Sequence, residues 1–177
     1  MNLRLKRFLL TNVFGGLAVL GSYGFGLATH PASRDALWGG VPASWQWLYT
    51  ASMLTATAGY FAFTSWFAWT CDPERGRYFA GRSLDAVTAI YALLLVSAAL
   101  WMPLTFANLE TPNSWLWVGV RAVLATTGAS SLALIAALFT STPRPSRAHF
   151  VLAFVGLMAF CFQTAVLDAI VWVAYQP

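Results

Sequence analysis

Two ionisable side chains stand inside apolar stretches of this sequence, and any chemistry would begin with them. Arg121 falls in Trp117-Val118-Gly119-Val120-Arg121-Ala122-Val123, and Asp168 in Ala165-Val166-Leu167-Asp168-Ala169-Ile170. A charge removed from water is costly unless it is paired, so each of these groups needs a partner or a function. Gln163 adds a buried amide five residues before Asp168. The remaining reactive residues are sparse. His30 and His149 lie far apart, and Cys71 and Cys161 have no metal-ligand spacing. Cys161, in an apolar run, reads as a small core residue. A phosphate-binding glycine loop, a His-Glu-x-x-His motif, a nucleophilic triad and paired catalytic carboxylates are all missing from the sequence. No catalytic or metal site is expected, which points away from an enzyme.

The elements that must position Arg121 and Asp168 follow from composition. The 177-residue chain is 59% apolar and only 9% charged, where a soluble domain carries about a quarter charged residues. Mean hydropathy is +0.64. This balance excludes a disordered chain, a nucleic-acid module and an ordinary soluble enzyme. It predicts an all-α integral membrane protein, a single domain over 1–177. A bilayer core needs about 20 apolar residues per helix. Five stretches qualify, at about 8–28, 47–69, 84–106, 115–139 and 150–175, bounded by His30-Pro31, Pro42, Asp72-Pro73, Pro112 and Pro143-Arg144-Pro145. Backbone groups in hydrocarbon must pair within their own segment, so the stretches are helices.

Basic residues set the expected topology. Arg4, Lys6, Arg7, Arg75, Arg77, Arg82, Arg144 and Arg147 fall on one side, and Arg34 alone on the other. The positive-inside rule then puts the N-terminus on the cytoplasmic side and the C-terminus on the opposite, outer side. The first helix reads as a span and not a cleaved signal, because Ala28-Thr29-His30 is a poor cleavage site. His30 and His149 fall on opposite faces, so they cannot jointly ligate one haem. Asp85 opens the third helix, where its charge suits the helix dipole.

In this topology Arg121 and Asp168 both lie about 10 Å below the outer interface, on consecutive antiparallel helices. They are expected to form an ion pair facing the bundle interior. Trp38, Trp45 and Trp47 lie in or beside the long first outer loop, Pro31 to Trp47, which is a candidate lid. Pro103 either kinks the third helix or ends it, and a kink beside Trp101 would open space for Ser97, Thr105, Thr126 and Gln163 to line. Gln163 needs a hydrogen bond across helices. The glycines of the first helix (Gly15, Gly16, Gly21, Gly24, Gly26) are expected at close helix contacts.

This layout resembles the translocator protein (TspO) family. The third helix of that family reads Asn-x-x-Trp-Pro-Pro-x-Phe-Phe, and Trp101, Pro103 and Phe106 keep part of it here. Trp38, Pro42 and Trp45 form a shortened version of the family's first-loop motif, and Phe162-Gln163 stands in the place of its fifth-helix Leu-Asn. The family's early fourth-helix acid falls on Arg121. The resemblance implies a five-helix bundle with a ligand pocket in its outer half, capped by the first loop. It implies a receptor or carrier for a flat apolar molecule, tetrapyrrole- or sterol-like, contacted by Trp38, Trp45, Trp101, Phe106, Gln163, Arg121 and Asp168. Arg121 would take a ligand carboxylate such as a porphyrin propionate. The alternative is a non-catalytic accessory subunit of a larger membrane complex. Both imply a lipid bilayer as surroundings and no nucleic acid, and a homodimer or larger assembly stays open.

Overall fold

Each apolar run does fold as a helix, and the differences lie at the ends and in helix type. The computed structural model describes residues 2–70, 76–79 and 81–176. Helix α1 spans Leu3–Thr29, and two short 3-10 turns follow at Pro31–Ser33 and Asp35–Trp38. Helix α2 spans Ala43–Ser65 and ends in a π turn over Trp66–Thr70. Helices α3 and α4 span Leu84–Glu110 and Ser114–Thr140. Helix α5 spans Arg147–Cys161 and continues in π geometry over Phe162–Trp172. Cys71, Asp72, Pro73 and Arg75, used above as boundary and charge markers, lie outside the described residues. Starts are capped as their sequences allow: the side chains of Asn2, Asn113 and Ser146 accept from the backbone N–H of Arg4, Trp115 and His149. Pro103 lies within α3, which carries on past it to Glu110.

The chain is an all-helical membrane protein. Among the described residues four helices are long and apolar enough to cross a bilayer: α1, α3, α4 and the continuous α5–π helix. Helix α2 has comparable length, 23 residues, but Gln46, Thr50, Ser52, Thr55 and Thr57 take it below the apolarity of the others.

The helices pack in the order α1–α3–α4–α5–α2. Helix α1 runs parallel to α3, with Phe8 edge-on to Tyr91 and Tyr23 edge-on to Trp101. Helices α1 and α2 make little direct contact, so the ring is loosely closed on that side; Tyr60 Oη bonds to Asn12 Oδ1 there. The starts of α1, α3 and α5 and the ends of α2 and α4 share one end of the bundle, the arginine-rich end. Arg4 and Arg7 reach Asp85 (3.2 and 3.8 Å), and Arg77 and Thr142 exchange backbone hydrogen bonds. Asp85 thus does more than complement a helix dipole.

Two apolar cores result. The larger, at the arginine-rich end, gathers Phe8, Phe63, Trp66, Phe67, Tyr91 and Leu134; the smaller, at the opposite end, holds Val41, Tyr49, Val120, Leu124, Leu167 and Trp172. Hydroxyl bridges also tie the helices together, Ser97 to Thr127 at 2.7 Å and Thr164 Oγ1 to Ser131 Oγ at 3.0 Å. Such bonds and small-residue contacts replace the hydrophobic drive that lipid cannot supply.

The tightest helix crossing is not where the glycines of α1 pointed. Gly15 and Gly26 do meet α3, at Leu95 and at Met102 and Phe106, but Gly16, Gly21 and Gly24 face open space. The closest approach joins α2 to α5 at Gly59 and Gly156, where a Cβ on Gly156 would lie 2.8 Å from the Gly59 Cα.

Candidate functional site

The change of helix type at the end of α5 creates the central feature of the half opposite the arginine-rich end. In an α-helix, residues five apart point about 140° away from one another; in the wider π-helix, whose bonds run i to i+5, they come to the same side. Gln163 and Asp168 stand five apart within the π segment, and Gln163 Nε2 donates to Asp168 Oδ1 at 2.7 Å. The amide finds its partner within its own helix, and not across helices as expected. Gln163 is buried, and among the described residues its Oε1 has no hydrogen-bond partner; nor does the buried Trp101 Nε1.

Aromatic side chains cluster at this end of the bundle. Trp101 lies edge-on to Tyr23 (5.6 Å between centroids) and to Trp172 (5.8 Å), and Trp117 meets Trp172 at 6.2 Å. The phenols of Tyr23 and Tyr49 lie within electrostatic reach of Asp168. Tyr49 Oη donates to the Leu167 carbonyl at 3.1 Å, which locks α2 onto the π segment. The first loop, the candidate lid, is tied to the end of the last helix: Trp172 Nε1 donates to the Leu37 carbonyl and Gly40 N–H to the Tyr175 carbonyl.

Arg121 is not part of the site. The expected ion pair with Asp168 does not form: Arg121 is exposed, and among the described residues it makes no salt bridge. The cause is the face that α4 buries. Val120, Leu124, Thr127, Gly128, Ser131 and Leu134 form its inward stripe, which leaves Arg121 on the outward one with Val118, Ala125, Ala129 and Leu132. The expectation counted depth along each helix and not the direction in which each side chain points. An Arg121→Leu variant is therefore expected to unfold within about 0.5 kcal/mol of wild type, measured by denaturant titration in detergent. A large loss would mean that the guanidinium has a buried partner after all.

The other expected residues divide. Trp38 packs edge-on to Tyr49 beneath the loop, and so belongs to the site's rim. Trp45 is 45% exposed and leans on Tyr175 at the surface. Phe106 is buried elsewhere, stacked on the His30 ring (4.1 Å, 10°) at the α1–α3 seam. Ser97 is spent on Thr127, while Thr105 and Thr126 bond back to carbonyls of their own helices. Both imidazoles are satisfied by the protein, His30 by Glu110 and the Gly26 carbonyl, His149 by Ser65 and Thr70. Cys161 is buried and free, and no cluster of metal-ligating residues occurs among the described residues.

Two open grooves stand out, one at the arginine-rich end and one beside Ser44, Trp45, Trp47 and Leu48. Neither groove is lined by Arg121, Gln163 or Asp168. Sequence reasoning missed Tyr23, Tyr49 and Trp172. For Trp172, its place four residues after Asp168 is a usable signal. No protein-family profile, curated protein or solved structure matches this chain.

Proposed function

We propose that the chain is a membrane receptor or carrier for a flat apolar small molecule, held in the outer half of the bundle by Trp101, Tyr23 and Trp172 with Gln163 and Asp168. The observation that carries this reading is two unpartnered buried atoms among the described residues, Trp101 Nε1 and Gln163 Oε1, the second on the side chain that donates to Asp168. A buried polar group without a partner costs about 1–3 kcal/mol, which a ligand's hydrogen bonds would recover. The rings around it offer stacking and edge contacts to a planar molecule. The loose α1–α2 side of the ring gives an apolar ligand a route in from lipid. Kinship with the translocator protein family, five spans with α2 as the fifth, and a cytoplasmic N-terminus belong to the same proposal.

The polar groups choose between ligand classes. With Arg121 turned away, the site has acceptors in Asp168 and Gln163 Oε1 and neutral donors in the Trp101 indole and the Tyr23 phenol. A sterol-like hydroxyl suits this set, while porphyrin propionates would meet a carboxylate without a counter-charge. Titration with a fluorescent sterol, read by energy transfer from tryptophan, is expected to saturate. Trp101→Leu should weaken binding about tenfold, the equivalent of 1.4 kcal/mol. Saturation by a dicarboxylic porphyrin in preference to the sterol, or indifference to Trp101→Leu, would overturn the assignment.

The accessory-subunit reading has its own observation. Arg121 sits about 10 Å along α4 from its outer start and faces outward, where it either snorkels to the headgroups or meets an acidic residue of another chain. Isolation from native membranes as a stoichiometric component of a larger assembly would favour it.

A further inference from the structure

The groove at the arginine-rich end has a volume of about 620 Å³ and is unrelated to the outer site. Its floor is one face of α3, where Ala86, Ala89, Ile90 and Leu93 follow the helical repeat, and its mouth holds Arg82. Alanine at 86 and 89 keeps the floor low. Phe79 and Thr140 form the wall, joined by a hydrogen bond from Phe79 N–H to Thr140 Oγ1 at 2.9 Å. Tyr78 and Arg82 exchange backbone hydrogen bonds of 2.8 and 2.6 Å, which hold Arg82 at the mouth.

We propose that this groove seats one anionic phospholipid, with its phosphate on Arg82 and an acyl chain laid along Ala86 to Leu93. Length supports the match. From Arg82 to Leu93 the chain rises about 16 Å at 1.5 Å per residue, close to half of a hydrocarbon core about 30 Å thick. The groove therefore runs from headgroup level to the middle of the bilayer.

Charge supports it as well. Arg4 and Arg7 share Asp85, Arg144 bonds to the carbonyls of Phe139 and Ser141 and lies over the Phe150 ring, and Arg82 is the arginine that lines the groove. Among the described residues Arg82 has no side-chain partner, so its guanidinium is the one at this groove left to bind an anion. Guanidinium groups grip phosphate in a two-pronged way, and basic pockets between membrane helices favour anionic headgroups.

Native mass spectrometry of the full chain, released from detergent with phosphatidylglycerol and phosphatidylcholine in equal amounts, tests this. Wild type is expected to retain one phosphatidylglycerol in preference. Arg82→Gln should cut that preference about fivefold, Arg82→Lys should keep most of it, and Ala89→Phe should lower retention of both lipids. Arg147→Gln, an exposed arginine at the same end outside the groove, should change nothing. Three results would overturn the proposal: equal losses in Arg82→Gln and Arg147→Gln, displacement of the lipid by inorganic phosphate, or a second copy of the chain in place of lipid on the wild type. If Arg82→Gln fails to fold, Ala89→Phe and Arg82→Lys decide alone, and unchanged retention in Ala89→Phe then counts as refutation.

Discussion

Gly156→Leu is expected to separate α2 from α5 and leave little folded protein to purify. A Cβ at position 156 would fall 2.8 Å from both the Cα and the carbonyl oxygen of Gly59 and 3.1 Å from the Ala62 Cβ. The first two obstacles are backbone, which cannot rotate aside as a side chain can, so one helix must move. Overpacked cores lose typically about 1–3 kcal/mol. A leucine against a backbone crossing belongs at or above the top of that range, and Gly156→Ala lower within it. The effect should spread beyond the crossing, because α2 is held to α5 and its π continuation through Tyr49 on Leu167 and through Ser65 and Thr70 on His149. Gly16→Ala is the matched control: it opens on empty space, so stability should hold or rise slightly. Denaturant or thermal unfolding in detergent reads all three. A Gly156→Leu variant as stable as wild type would mean that the two helices do not cross there.

The second large effect is expected at Gln163. In Gln163→Leu the carboxylate of Asp168 loses the one side-chain donor assigned to it. Hydrogen bonds to a charged group contribute about 1.5–3 kcal/mol, and stranding that group in an apolar setting adds to the loss. Gln163→Leu should therefore be destabilised by about 3 kcal/mol, and the double variant Gln163→Leu/Asp168→Leu should recover part of it, because the orphaned charge is gone. This non-additivity is the specific signature of the pair. Simple addition of the two single effects would show that the residues do not meet, and with them the π register would fall. The same double variant should lose the sterol binding predicted above, since both acceptors are removed, whereas Arg121→Leu should keep it.

Much of the site was legible one residue at a time, and little of it pairwise. Asp168 and Gln163 announced themselves as polar groups in an apolar run, and Trp101 as an aromatic beside an in-helix proline. The partner of Asp168 was misread because depth can be counted along a helix while facing depends on which stripe it buries. On α4 that stripe is made of Val120, Leu124 and small or hydroxyl residues, scarcely more apolar than the outward one. In lipid both stripes are apolar, so the periodicity that reveals a buried face in soluble proteins loses its contrast. Gln163 was assigned a partner across helices for a related reason, since counting in α-helical steps places residues 163 and 168 well apart.

Composition and charge by themselves determined that this chain is an all-helical membrane protein, where its long helices lie, and that arginine gathers at one end. These follow from the cost of unpaired backbone in hydrocarbon, which acts locally and can be read along a single strand of text. Only the tertiary structure decided that Gln163 serves Asp168, that Arg121 looks outward, and that Gly59 and Gly156 make the closest crossing. Each of those depends on helix rotation and on a local change from α to π geometry. Both are settled by small differences in packing between several helices, which no one segment encodes.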